Sequence, residues 1–405
     1  MAFCIGVMDY SIYFRFIQFS LGLYEGREFM DGSALRCFNW DAFYDSARRQ
    51  TLVGIVFDGI QQLPKAVAPP LGVLMRWLGV YQKIRMRNAM LNDATADIYN
   101  KVRNAGYDCT ILKGQGNAMM YPNPLVRIPG DVDVWVNASR DDIRNLAHML
   151  ARDGGRMGKE SLNHIELSVG GVAVELHTTP AIMNNPVYNH RLQKWLRQNA
   201  DSQCGNIVSL PDGAGNIAVP TRAFNAVYQL FHLYHHYFYE GVGLRQIIDY
   251  YYVIVKSEEL RTKSEERGVK REERGVKREE RGVKSEERRV KSEELSVRNP
   301  MSLEDELKWL GLWPFAGAVM YVLREVMGLA EGMMIAPVDE KRGRMLLDDI
   351  LNGGNFGHHD RHRAWGHNVL RLYRDAKLVR YYPAEALSEP LFRIGHFLWR
   401  IRNRH

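Results

Sequence analysis

Apolar residues recur every three or four positions through much of the first hundred residues and again beyond position 220. In the N-terminal part this spacing runs through WDAFYDSARRQTLVGIVFDGIQQL (40–63) and MRNAMLNDATADIYNKVRNAG (86–106), with the Pro-rich LPKAVAPPLG (63–72) between them. It returns in TRAFNAVYQLFHLYHHYFYE (221–240) and ELKWLGLWPFAGAVMYVLREVMGL (306–329). Because such spacing puts apolar side chains on one helix face, it predicts a helical N-terminal region at 1–104 and a helical C-terminal domain at 201–405.

Between these regions the pattern changes to short apolar runs separated by turns. YDCTILKG (107–114) and DVDVWV (131–136) predict strands, and QGNAMMY (115–121) predicts a helix. SRDDIRNLAHMLARDGG (139–155) predicts a helix that a serine caps and a Gly-Gly pair ends. Residues 105–200 therefore form a predicted α+β core between the two helical regions.

The clearest element of this core is the predicted β-hairpin NHIELSV-GG-VAVELH (163–177). A Gly170-Gly171 turn between two alternating runs fixes the register of the strands. Directly opposed residues share one sheet face. This register pairs like residues on one face: Glu166 with Glu175, and His164 with His177.

The stretch RIPGDVDVWV (127–136) puts two carboxylates at the head of a strand that is otherwise apolar. Because strand side chains alternate, Asp131, Asp133 and Trp135 share one face. One interpretation is a hydrated strand start at a turn. The other is a divalent cation between the two aspartates.

Composition narrows the class of protein. A chain of 405 residues with 46% apolar residues has room for two or three packed domains. The four cysteines form no metal-binding spacing, and the first residues, MAFCIGVMDYSIYFRF, lack a basic start, so we expect a cytoplasmic protein without an export signal. No apolar run is long enough to predict a membrane span. The net charge of +7 permits nucleic acid as a partner without indicating it.

A charged unit of seven residues is repeated through about 257–297, within the helical C-terminal region. Each repeat offers one apolar position, whereas a coiled coil needs two. Glycines at 268, 275 and 282 oppose the helix-favouring Glu–Lys pairs. We interpret the segment as a solvated insertion without a chemical role.

Taken together, LKG, YPNPLVRIPGDVDVWV and VELH resemble the nucleotidyltransferase superfamily of the DNA polymerase β type. They are most similar to the bacterial group called uncharacterised nucleotidyltransferases. The resemblance is strong over about 105–180 and looser in the flanks, at WDAFYDSARRQ and GLRQIID. It implies a small mixed sheet of the polymerase β-like fold between helical regions.

The resemblance also implies a reaction, in which an NMP passes from an NTP, with ATP the first choice, to a hydroxyl group and pyrophosphate is released. The acceptor class stays open among a small molecule, a protein and RNA, as does the oligomeric state. Two Mg²⁺ ions, or Mn²⁺ in their place, would be held by Asp131, Asp133 and, as the family's third acid, Glu175.

Five further residues are candidates for binding the nucleotide. The turn at Gly114 and Gln115 would bring backbone N–H groups to the phosphates, although Gln115 replaces the serine that the family often has. Lys113 and Arg127 are candidate phosphate cations, and Arg127 could instead form a structural ion pair with a site carboxylate. His177 must face the same way as Glu175, where it could orient the substrate or a phosphate.

Other polar clusters carry weaker signals. Packing explains His232, His235 and His236 better than metal binding does. Arg245 and Asp249 are better explained as a structural i,i+4 pair than as substrate contacts. The run GHHDRH (357–362) lacks partner ligands at a metal-binding spacing and is interpreted as a loop.

Two other functions remain open. One is a nucleotide-binding or regulatory module that kept the fold and lost the reaction. The other is a glycosyltransferase whose Asp-x-Asp holds Mn²⁺, although the helical residues before the motif disfavour that fold.

Overall fold

The computed structural model describes residues 10–35, 38–152, 154–257, 301–359, 374 and 376–402. The charged repeat, apart from its first residue, and positions 360–362 of GHHDRH lie outside the described residues. The interpretations of those two segments therefore stay predictions. Among the described helices, none is long and apolar enough to cross a membrane.

The N-terminal region is helical, as the apolar spacing predicted. Its helices are α1 (Tyr10–Ser20), α2 (Arg27–Met30), α3 (Trp40–Arg49), α4 (Val53–Gln62) and α5 (Leu71–Asn104). The Pro-rich stretch separates α4 from α5, because proline cannot continue the backbone hydrogen bonding of a helix. Helix α5 continues through 34 residues and lies against the sheet that follows it.

A five-stranded mixed sheet forms the centre of the chain, with strand order β1-β2-β5-β4-β3. Strand β2 pairs antiparallel with β1 and parallel with β5. This arrangement confirms the predicted α+β class. The elements of this part are β1 (Cys109–Leu112), α6 (Gly114–Ala118), β2 (Val132–Val136), α7 (Arg140–Ala151), β3 (Arg156–Glu160), β4 (His164–Val169) and β5 (Val172–His177).

The predicted hairpin register is confirmed. Gly170 and Gly171 both have positive φ, 56° and 80°, as a two-residue hairpin turn of this type requires. Glu166 then pairs with Glu175, and His164 with His177. The turn alone therefore decides which side chains of β4 and β5 meet.

The region after the sheet is mainly helical but contains a second hairpin that the sequence did not predict. Its elements are α8 (Pro186–Gln203), β6 (Ile207–Ser209), β7 (Asn216–Ala218), α9 (Arg222–Tyr239), α10 (244–257), α11 (Leu303–Trp309), α12 (Trp313–Met327), α13 (Glu340–Gly353) and α14 (Pro383–Arg402). Each strand of the hairpin has only three residues, too few to show a clear period of two. The boundaries at 104 and 200 stay predictions.

Alternation along the strands gives the sheet two different faces. The apolar face, which includes Val134 and Leu176, packs with Ile98 of α5 and Leu146 of α7 in one hydrophobic cluster. On the opposite face Trp135 joins the larger cluster formed with the other helices and stacks on Phe224 of α9, with ring centroids 5.7 Å apart. The polar side chains of β2 and β5 lie on this second face, under α9.

Candidate active site

The carboxylates of β2 and β5 meet on the face of the sheet that α9 covers. The parallel register pairs Asp133 directly with Glu175, and Asp131 precedes β2 on the same side. One oxygen from each of these three carboxylates lies within 4.8 Å of the other two. The structure thus brings together the three acids that the sequence analysis grouped.

Lys113 and His177 already contact the buried member of this group. Lys113 Nζ lies 3.0 Å and His177 Nε2 2.9 Å from Oδ1 of Asp133. Burial would raise the pKa of Asp133, but Lys113 and His177 outweigh burial and hold that pKa below its ordinary value. Asp133 is therefore ionised, although its side chain is only 4% exposed.

Asp131 is in a different electrostatic position. The neighbouring Asp133 carboxylate, together with burial, raises the pKa of Asp131 to about 6. The negative charge of these two adjacent acids is only partly balanced by neighbouring cations, so the pair suits a further cation. Hard divalent ions such as Mg²⁺ prefer carboxylate oxygens. The donor set of Asp131, Asp133 and Glu175 therefore fits the metal that the sequence analysis expected.

The turn between β1 and α6 has strained backbone geometry. Lys113 has φ of 52° although it carries a side chain, and Gly114 follows with φ of 37°. Such geometry is costly for a residue with a Cβ, and it is found preferentially at functional sites. It turns the chain sharply from the end of β1, next to Asp133, into α6.

Gln115 does not join this group through its side chain. Its buried amide donates a hydrogen bond to Asn92 of α5, and the residue is not among those lining the cavity described below. Any contact of Gln115 with a nucleotide would have to come from its backbone. The other candidates, Lys113, Gly114, Arg127 and His177, all line the cavity.

Arg127 forms a buried ion pair, but with Asp249 rather than with one of the three site carboxylates that the sequence suggested. Its Nε and Nη2 each donate to a carboxylate oxygen of Asp249 in α10 at 2.7 Å, and Tyr121 donates to the same carboxylate at 2.7 Å. Arg245 and Asp249, the predicted i,i+4 pair, interact electrostatically, but they form no hydrogen bond or salt bridge among the described residues. Arg245 Nη1 instead donates to the carbonyl of Ile128 at 2.7 Å.

Both arginines keep buried donors that no described residue accepts, Nη1 of Arg127 and Nε of Arg245. Burial and the neighbouring Arg127 lower the pKa of Arg245 to about 10, which reflects two guanidinium groups close to one carboxylate. This corner of the cavity therefore has excess positive charge and unused hydrogen-bond donors, and an anionic ligand would supply what it lacks.

A cavity of about 510 Å³ opens above these groups. Its opposite wall is formed by α9 and α14, with His232, His236, Phe392 and His396 among the lining residues. His236 contacts the residues four positions before and after it in α9. Its Nε2 lies 3.0 Å from Nε2 of His232, and its Nδ1 lies 2.9 Å from a carboxylate oxygen of Glu240.

The sequence favours packing for the α9 histidines and predicts no site role for α14. A signal for the position of the α9 histidines was present in the i,i+4 spacing of His232, His236 and Glu240, which puts three polar groups on one helix face. The sequence offers no comparable signal for α14, because its position over the cavity depends on contacts with residues that lie far away in the chain.

Comparison with known proteins identifies a family for this chain. A family model described as "Uncharacterised nucleotidyltransferase" matches residues 36–271, more than half of the chain. No curated protein matches. Among solved structures, the chain is similar to an antigenic nucleotidyltransferase-like protein from Paracoccidioides brasiliensis, with 15% identity, a TM-score of 0.29, and coverage of 40% of this chain and 75% of that one.

Proposed function

We propose, because the chain belongs to the family of uncharacterised nucleotidyltransferases, that it transfers an NMP from an NTP to a hydroxyl group of a second substrate and releases pyrophosphate. The observation that carries this proposal is the convergence of Asp131, Asp133 and Glu175 within 4.8 Å on one sheet face. The family supports nucleotidyl transfer in general. ATP as the nucleotide and a hydroxyl as the acceptor are our extension.

The three acids would hold two Mg²⁺ ions, with Mn²⁺ as an alternative. When bound, such ions stabilise the negative charge that develops on the attacking and leaving oxygens of a phosphoryl displacement. Asp131 and Asp133, adjacent on one face, suit the role of shared ligands. Glu175 would complete the position nearest the incoming hydroxyl.

We assign the phosphates to the positively charged corner of the cavity. The unpaired Nη1 of Arg127 and Nε of Arg245 can donate to phosphate oxygens, and Lys113 adds positive charge beside Asp133. The Lys113-Gly114 turn exposes backbone at the cavity, and glycine allows a phosphate to come close. These groups bind and orient the triphosphate, which accounts for buried donors that would otherwise be costly.

In the proposed reaction the acceptor oxygen forms a bond to the α-phosphorus while the bond from that phosphorus to the bridging oxygen of the β-phosphate breaks. The bonding electrons leave with pyrophosphate, and we assign the hydroxyl proton to Glu175. The cavity of about 510 Å³ falls within the range of roughly 300–1,000 Å³ that small-molecule sites occupy. That volume suits a nucleotide together with the reacting end of an acceptor.

The test is to incubate the purified chain with Mg²⁺, a cell extract as the source of acceptor and each NTP labelled at the α-phosphate. We expect label transfer with pyrophosphate release, and loss of both in Asp131→Asn. Because Asp131 lies at the head of β2 and, although partly desolvated, keeps contact with solvent, this variant should fold, and its thermal unfolding checks that. Transfer that persists in Asp131→Asn/Asp133→Asn would contradict the mechanism.

The regulatory alternative makes a different prediction in the same assay. A module that kept the fold and lost the reaction would bind NTP without transferring label in any extract. A glycosyltransferase would instead consume a nucleotide sugar and release no pyrophosphate. Family membership favours the nucleotidyl reaction over both alternatives.

A further inference from the structure

His164, Glu175 and His177 bring two imidazoles and a carboxylate together on one face of the hairpin β4–β5. We propose that these three residues form a site for a first-row divalent transition metal ion, with Zn²⁺ the ion they suit best. The site differs from the carboxylate group assigned to Mg²⁺ because two of its donors are nitrogens, and it shares Glu175 with that group. The inference concerns ion binding and holds whether or not NMP transfer occurs.

The donor atoms are already spaced like the ligands of one ion. Nε2 of His177 lies 3.3 Å from Oε2 of Glu175, and Nδ1 of His164 lies 3.7 Å from the same oxygen. Ligands held about 2.0–2.2 Å from a tetrahedral zinc are separated by roughly 3.3–3.6 Å. Before any ion is bound, the fold therefore holds His177 at this spacing from Glu175 and His164 slightly beyond it, with all three donor atoms within 4.8 Å of one another.

Unsatisfied polar atoms point to the same site. Nδ1 of His164 is buried and has no hydrogen-bond partner among the described residues. Nδ1 of His177 is also without one, so Nε2 is the nitrogen that His177 presents to the carboxylates. A buried polar nitrogen without a partner costs about 1–3 kcal/mol, and coordination to an ion at Nδ1 of His164 would remove that cost.

The charges on this face also favour a dication. Glu166 and Glu175 are directly opposed across the hairpin, and directly opposed like charges destabilise a strand pair. Lys113 compensates Asp133, at 3.0 Å, rather than either glutamate. Imidazole nitrogen suits Zn²⁺, whereas Mg²⁺ prefers an all-oxygen octahedron, so the two histidines select the class of ion.

The experiment uses the full chain after removal of metal with a chelator. Calorimetric titration with Zn²⁺ measures affinity and stoichiometry, and X-ray absorption at the zinc edge counts imidazole ligands. We expect one Zn²⁺ per chain with two imidazoles, not displaced by excess Mg²⁺. His164→Gln and His177→Gln should each weaken binding by about 10-fold or more. His164 is partly exposed, so His164→Gln tests the site even if His177→Gln fails to fold.

Two control variants separate this site from zinc binding elsewhere. His148→Gln, on the exposed face of α7, should leave affinity and ligand count unchanged. Affinity lost only in His358→Gln/His359→Gln would assign the ion to the GHHDRH segment and overturn the proposal. Zinc binding that is unchanged in both His164→Gln and His177→Gln, or the absence of binding, would also overturn it.

The labelled-NTP assay with Mg²⁺ alone keeps this inference separate from the proposed function. Histidine-bound zinc in a chain that transfers no label would refute the NMP transfer and leave the zinc site standing. Label transfer by a chain whose histidines bind no zinc would refute the zinc site alone.

Discussion

Replacing Asp249 with Asn is expected to destabilise the protein more than replacing its partner Arg127 with Met. Asp249 is 5% exposed and accepts two hydrogen bonds from Arg127 and one from Tyr121, each 2.7 Å long. Arg245, also buried, lies close enough to interact electrostatically with both residues. Three buried charges thus form one group, and the two substitutions leave different sets of buried charges behind.

Asp249→Asn leaves two buried guanidinium groups without a carboxylate between them. Breaking a buried ion pair by removing one partner costs about 3–5 kcal/mol, and here the remaining like charges also repel each other. In Arg127→Met, Arg245 still interacts electrostatically with Asp249 without a hydrogen bond to it, so the expected cost is about 1–3 kcal/mol, that of hydrogen bonds lost by a buried acceptor. The difference follows from the excess of arginine over carboxylate in this corner of the cavity.

Urea unfolding of the two variants and the wild type at low ionic strength measures these free energies. Adding pyrophosphate provides a second readout, because an anion should restore part of the stability of Asp249→Asn by neutralising the arginines. A cost for Arg127→Met equal to or above that for Asp249→Asn would refute the charge argument. Failure of pyrophosphate to stabilise the wild type would contradict the assignment of this corner to phosphate.

Three further predictions follow from other parts of the molecule. Burial raises the pKa of Glu385 to about 7 from its ordinary 4.5, so this group stabilises the fold below pH 4.5 and loses that contribution as the pH rises through 7. Between those pH values the wild type should therefore lose up to about 3 kcal/mol more unfolding free energy than Glu385→Gln, and equal losses would contradict this. Gly171→Ala, at φ of 80°, should cost about 1–2 kcal/mol by urea unfolding, whereas the same change at the exposed Gly72 of α5, which lacks positive φ, should not destabilise the fold. Deleting 261–292 should leave label transfer unchanged if the charged repeat is an inert insertion, and its loss would show that the segment contributes to the reaction.

The sequence was most informative where local chemistry decides geometry. A Gly-Gly turn permits few hairpin registers, so the pairing of Glu166 with Glu175 and of His164 with His177 followed from counting. Alternation put Asp131 and Asp133 on one face for the same reason. The regular apolar spacing of α3, α4 and α5 likewise needed no tertiary information, because one apolar face per helix is a local property.

The sequence does not identify the partner of a buried polar side chain when several partners are possible. The side-chain amide of Gln115 bonds to Asn92, 23 positions earlier, and a phosphate contact through its backbone stays a prediction. Arg245 and Asp249 have ideal helical spacing, but Asp249 bonds to Arg127, 122 positions away. Buried polar groups form hydrogen bonds with the donors and acceptors that packing brings close in space. Sequence spacing contains no information about partners that lie far apart along the chain.

The sequence by itself determined four of the five strands of the sheet, the hairpin register and the identity of the three acids, because each depends on neighbours within a few residues or on a family motif. Only the tertiary structure decided that Asp133 and Glu175 are paired across parallel strands, that two arginines share one carboxylate, and that α9 and α14 close the cavity. Those features depend on which elements pack together. That choice is made by burial of apolar surface summed over the whole chain, and no single stretch of sequence contains it.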